Sequence, residues 1–179
     1  TVNLQSGAEW VLQNNASLMH GAGAVSTFNN AGTIRKSSGT GSSIIALVFN
    51  NLGSIAVGSG TLSLASNLVQ YAGNVLTGGE YTVGDGTSLT LQSGSEILVN
   101  QARVTLIGTG SFSNLAGLTS NQGTLVLDTG SLFQPSTSVT NSGLVVVNGT
   151  FSPTSLTLVA GGKLQGSGII HAPVSAQSG

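Results

Sequence analysis

The chain alternates apolar and polar residues in short runs. Thr61-Leu62-Ser63-Leu64, Ser88-Leu89-Thr90-Leu91, Gly123-Thr124-Leu125-Val126-Leu127 and Ser155-Leu156-Thr157-Leu158 all keep a period of two. That period sends successive side chains to opposite faces, so each run predicts a strand with one face buried. Turn formers close nearly every run: Gly58-Ser59-Gly60, Gly78-Gly79, Gly84-Asp85-Gly86, Thr129-Gly130-Ser131 and Gly161-Gly162. These residues accept backbone geometries that others resist. No stretch combines an apolar period of 3.6 with helix caps. Ala16 to Ala24 comes nearest, and His20-Gly21-Ala22-Gly23 interrupts it.

The strand pattern is itself repeated. Phe28-Asn29-Asn30-Ala31-Gly32-Thr33-Ile34 returns 21 residues later as Phe49-Asn50-Asn51-Leu52-Gly53-Ser54-Ile55. Onward steps of 22, 20, 21, 21 and 18 reach Tyr71, Leu91, Phe112, Phe133 and Phe151, so all five phenylalanines stand on one ladder. A second ladder runs Ile34, Ile55, Leu76, Ile97, Leu118, Val139, Val159, and rests on commoner residue types. A polar echo links Asn121-Gln122-Gly123-Thr124-Leu125 to Asn141-Ser142-Gly143-Leu144-Val145. No register is evident before Phe28.

A fixed step near 20 is the mark of a solenoid, because every turn meets the same packing problem. Three short strands and three turns fill about 21 residues, the content of one rung of a parallel β-helix. The expected fold is therefore all-β: a parallel β-helix of about eight rungs, forming a single domain over residues 1–179. At about 4.8 Å per strand the rod is roughly 40 Å long. The Phe and Ile ladders are expected to stack inside, with Asn30, Asn51, Asn121 and Asn141 forming amide ladders at the corners. Asn also tolerates left-handed turns, and the two roles together are expected in preference to turn tolerance alone. An antiparallel sandwich or barrel also has many short strands, but it does not need a constant step.

Charge changes the picture most. Only 5% of the residues are charged and the formal net charge is −1, against about 25% charged in ordinary domains. Such a chain lacks the clustered Lys and Arg that nucleic acid requires, so no nucleic-acid partner is expected. Arg35-Lys36 is the one basic pair and reads as a solvated loop or strand edge. There is no cysteine, hence no disulfide and no thiolate metal site. No apolar run approaches the roughly 18 residues of a membrane span. The chain starts at Thr1 in a strand-like pattern with no signal peptide evident, and neither terminus shows a capping helix. It is read as a segment of a longer chain, a processed chain, or a fibre subunit whose open ends meet other copies.

Candidate chemistry is sparse. Glu80, Asp85, Glu96 and Arg103 form the best local group for acid–base work on a saccharide. Glu80 and Arg103 lie 23 residues apart, which suggests an ion pair between neighbouring rungs rather than catalysis. His20 and His171 fall near opposite ends and cannot share a site. The glycine phrases precede no helix and so make no dinucleotide loop. Gly84-Asp85-Gly86 is too isolated for a calcium repeat. The acceptor triplets Asn15-Ala16-Ser17 and Asn148-Gly149-Thr150 are expected in so Asn- and Ser-rich a chain. No consecutive Thr-x-Thr ladder of the ice-binding kind is visible. No cofactor, metal or catalytic residue is assigned, and the chain is read as a non-enzyme. Trp10, Tyr71 and Tyr81 are the only candidates for an aromatic sugar platform.

Asn50-Asn51-Leu52-Gly53-Ser54-Ile55 with the following Gly58-Ser59-Gly60-Thr61-Leu62 resembles the repeats of large secreted bacterial β-helix proteins. These are the filamentous-haemagglutinin-like exoproteins and autotransporter passenger domains. Leu158 to Ile170 is similar to the passenger-associated strand repeat, with Ala172-Pro173-Val174 where a Pro-Gly phrase usually follows. The resemblance implies a right-handed β-helix on or outside a bacterial cell, structural or adhesive in role, with host or matrix glycans as conceivable partners. It carries no catalytic residues. The alternative expectation is a carbohydrate-binding or polysaccharide-degrading module.

Overall fold

The computed structural model describes residues 1–21, 23 and 26–177. Ala22 and Ala24, in the interrupted run noted above, lie outside the described residues. The chain coils into a β-solenoid of about eight turns of ~21 residues. Each turn lays strands onto three faces in the same order.

A leading face opens each turn. It begins with Val2–Leu4, Thr27–Asn30 and Val48–Asn51 and resumes with Val75–Leu76, Val99–Asn100, Ser120–Asn121, Val139–Asn141, Leu156–Leu158 and Val174–Ala176. The second face is an unbroken eight-stranded spine: Glu9–Leu12, Thr33–Lys36, Ser54–Val57, Glu80–Val83, Arg103–Leu106, Thr124–Leu127, Leu144–Val147 and Lys163–Gln165. The trailing face holds Leu18–Met19, Ser42–Ala46, Thr61–Leu64, Ser88–Leu91 and Ser111–Phe112. It restarts with Leu132–Phe133, Thr150–Phe151 and Ile169–Ile170. Every pairing between turns is parallel.

The period-two runs behave as their pattern requires. In Ser54–Val57, Thr124–Leu127 and Leu144–Val147 every second residue is buried. The spine's first inward column is Trp10, Ile34, Ile55, Tyr81, Val104, Leu125, Val145 and Leu164. Each large apolar side chain fully buried here contributes about 1.5–3 kcal/mol. Aromatic rings meet in places along the interior: Trp10–Phe28 at 5.2 Å, Phe28–Phe49 at 5.4 Å, Tyr81–Phe112 at 5.9 Å and Phe133–Phe151 at 5.8 Å between centroids.

The single aromatic ladder of the sequence divides among different sheets. Phe28 and Phe49 pair on the leading face. The next place is taken by Leu68, bridged to Phe49, and not by Tyr71. Tyr71 instead pairs antiparallel with Leu76 in a two-residue hairpin. Gly73 (φ 56°) and Asn74 (φ 67°) form its tip, the double left-handed turn such a hairpin demands. Leu91 stacks on Leu64 of the trailing face. Phe112 pairs with Leu89, and Phe133 with Phe151. The step near 21 survives because every face shares it, but equal spacing does not mean the same column. The Ile ladder divides likewise. Ile34 and Ile55 are paired, and the hairpin lengthens the fourth turn so that Tyr81, not Leu76, follows Ile55. The first turn, without register in the sequence, sets Val2 on Phe28 and Trp10 on Ile34.

Candidate functional site: polar ladders at the corner

The corner between leading face and spine is where the repeated phrase acts. Phe28 and Asn30 point inward and Asn29 lies between them on the outer side. The chain then turns through Gly32 into the spine. A Cβ on Gly32 would overlap the Ala8 carbonyl oxygen of the preceding turn, and one on Gly53 would overlap that of Gly32. Gly123 and Gly143 stand in the same relation to Ala102 and Gly123. Glycine is required here by the close approach of one turn to the next.

Inside this corner the asparagines stack. Asn30 Nδ2 donates to Asn51 Oδ1 (2.7 Å) and to the Ser54 carbonyl (3.1 Å). A longer series runs through later turns: Asn100 Nδ2 donates to Asn121 Oδ1 (2.8 Å), and Asn121 Nδ2 to Asn141 Oδ1 (2.7 Å). Asn121 also donates to the Leu144 carbonyl (3.1 Å), and Asn141 to that of Lys163 (3.0 Å). All five amides are buried. Asn30, Asn100, Asn121 and Asn141 therefore satisfy backbone carbonyls at the corner, and the amide-to-amide bonds tie one turn to the next. The short series has two loose ends, Asn30 Oδ1 and Asn51 Nδ2, which have no partner. Leu4 precedes Asn30 in the column, and the hairpin disrupts the place after Asn51.

An outer ladder runs beside the first. Asn29 Nδ2 donates to Asn3 Oδ1 (2.8 Å), Asn50 Nδ2 to Asn29 Oδ1 (3.2 Å) and Gln70 Nε2 to Asn50 Oδ1 (2.6 Å). Gln70 Oε1 also receives the Asn51 backbone N–H. Gln101 Nε2 to Gln122 Oε1 (2.9 Å) continues the arrangement further along. The sequence reading missed Asn100 and Gln70. Asn100 stands 21 residues before Asn121, but Ala102 replaces the glycine that marks the phrase elsewhere.

The charged residues are placed differently from expectation. Lys36 is not at a solvated edge. It occupies the spine's second inward column, between Leu12 and Val57, and is 0% exposed. Its Nζ donates to Asn14 O (3.0 Å), Ser38 O (3.1 Å), Ser43 Oγ (3.2 Å) and Asn15 Oδ1 (3.4 Å). Burial disfavours the ammonium and lowers its pKa. Strand alternation forces this: Arg35 next door faces outward and pairs with Glu9 (2.6 Å), so Lys36 must face in. The Arg35 hydrogen bond and charge lower the Glu9 pKa.

Glu80 and Arg103 are in register on adjacent spine strands, yet among the described residues the ion pair is Arg35–Glu9. Asp85 accepts from the Thr109 backbone N–H (2.8 Å) and hydroxyl (2.9 Å), which lowers its pKa. Glu96 uses its backbone, with its carbonyl accepting from the Tyr71 hydroxyl (3.0 Å). These four are not brought together as a catalytic set. His20 and His171 lie in the first and the eighth turns. Among the described residues no group of three or more His, Cys, Asp or Glu is placed to hold a metal, and no helix is long and apolar enough to cross a membrane. Of the aromatic sugar candidates, Tyr81 is core, with its pKa pushed up to about 12 by burial. Trp10 and Tyr71 are half-buried.

Stacked parallel strands, an interior amide ladder and corner glycines define a β-solenoid, built chiefly around the joining of one turn to the next. No family model, curated protein or solved structure matches the chain.

Proposed function

We propose that the chain is a non-enzymatic structural or adhesive rod of an extracellular bacterial surface or matrix protein, of the filamentous-haemagglutinin or autotransporter-passenger kind. The observation that carries this reading is the unbroken eight-stranded spine. Buried amides tie its second turn to its third and its fifth to seventh turns together, an arrangement suited to rigid extension. The low charge supports the same reading, since little electrostatic repulsion opposes association along the axis. A strand edge at either end of the described turns offers backbone donors and acceptors to further turns or to another copy. Electron microscopy of the purified chain at high concentration tests the assembling form, which should give fibres one solenoid wide. Isolated short rods would remove end-to-end stacking. Specific binding on a glycan array together with turnover of an acidic polysaccharide would overturn the non-enzymatic reading in favour of a carbohydrate-active module.

A further inference from the structure

The trailing face breaks between its fifth and sixth turns. Ser111–Phe112 pairs only with Ser88–Leu89 below it, and Leu132–Phe133 only with Thr150–Phe151 above it. The neighbouring leading and spine strands of the same two turns remain paired. The 3-10 turn Ser113–Leu115 follows Phe112 directly, at the place where the two turns part. They meet again where the Ser136 N–H donates to the Ala116 carbonyl (3.0 Å).

Between them lies a cleft of about 360 Å³, lined on one side by Ser111, Phe112 and Ala116 and on the other by Leu132, Phe133 and Gln134. Phe112 and Phe133 flank it, one from each turn, and Leu132 is 60% exposed at its mouth. No charged side chain lines it.

We propose that this break is a docking site for an extended, uncharged peptide segment carrying a large apolar side chain. Two facing sheet edges present backbone N–H and C=O groups to the same cleft, which is the recognition chemistry of an added strand. The phenyl-flanked space suits the side chain that such a strand directs inward. The neutral lining disfavours a charged segment, whose desolvation nothing in the cleft would offset. The site goes beyond the rod reading and does not depend on it.

The test uses the 15N-labelled chain and a blocked, uncharged hexapeptide alternating Thr with Val and Phe. Saturable amide shifts confined to residues 108–116 and 130–134 are expected. Methylating the peptide's alternate backbone nitrogens removes strand pairing while keeping its side chains. Binding should then weaken about tenfold or more, since at least two hydrogen bonds are lost and each is worth roughly a factor of five. A Leu132→Asp chain should lose binding while keeping its remaining spectrum. Absence of saturable shifts, shifts centred elsewhere, or equal binding by the methylated peptide would each overturn the proposal.

Discussion

Asn121 and Gln122 are adjacent, and each accepts a side-chain N–H from the residue 21 places earlier, at 2.8 Å and 2.9 Å. They differ in burial: Asn121 is wholly buried and Gln122 exposed. Replacing each by alanine therefore measures what burial adds to an otherwise similar hydrogen bond. Asn121→Ala removes the acceptor for Asn100, the donor to Asn141 and the donor to the Leu144 carbonyl. Asn100 Nδ2 retains the carbonyls of Ala102 and Thr124 at 3.2 and 3.4 Å. Asn141 Oδ1 loses its donor inside the core. The two net hydrogen bonds to Asn100 and Leu144 at about 1 kcal/mol each, plus the orphaned buried acceptor of Asn141 at about 1–3 kcal/mol, give a loss of roughly 3–5 kcal/mol. That is a large share of the roughly 5–15 kcal/mol that holds a domain folded. Gln122→Ala should cost about 0.5 kcal/mol or less, since water replaces the lost partner. Urea unfolding followed by far-ultraviolet circular dichroism reads both. Equal shifts in midpoint for the two variants would refute the claim that the interior ladder, rather than amide pairing as such, locks the turns.

Other outcomes follow from the same geometry. Gly143→Ala should lower the melting temperature more than Gly86→Ala. A Cβ on Gly143 overlaps the Gly123 carbonyl oxygen, whereas Gly86 (φ +66°) has open space and carries only the left-handed penalty of about 1 kcal/mol. Phe151→Leu should cost about 1 kcal/mol by removing the stack on Phe133, with the loss visible in a thermal melt. Lys36 titrates below its ordinary value of 10.5 in the folded chain. The unfolded chain then binds more protons just below pH 10.5, so this residue makes stability rise with pH in that window. Lys36→Met should flatten the rise in a pH series of urea midpoints, and an unchanged slope would show that Lys36 is not the source. Lys36→Ala should be less stable than Lys36→Met, because it adds a cavity to the orphaned carbonyls of Asn14 and Ser38.

Much of the architecture is legible in the residues themselves. Alternation names the strands, and the constant step names the solenoid, because both are local consequences of the β pleat and of repeated packing. The phrase Phe-Asn-Asn-x-Gly-x-Ile also reveals its own corner, since Asn30 and Gly32 are constrained by the turn immediately before or after. Column membership was decided only in three dimensions. A 21-residue step relates every face equally, so it did not separate Phe28 and Phe49 from Phe133 and Phe151, nor exclude Tyr71. The hairpin at Gly73-Asn74 reset the register by lengthening one turn, and its effect on Tyr81 appears only once the strands pair. Lys36 shows the limit most plainly. Composition places lysine in water, while alternation beside Arg35 places it in the core, where carbonyls from two turns accept its protons. The acceptors from Asn14 and Asn15, like the free edges beside Phe112 and Phe133, exist only where one turn meets another, so the sequence of a single turn does not contain them.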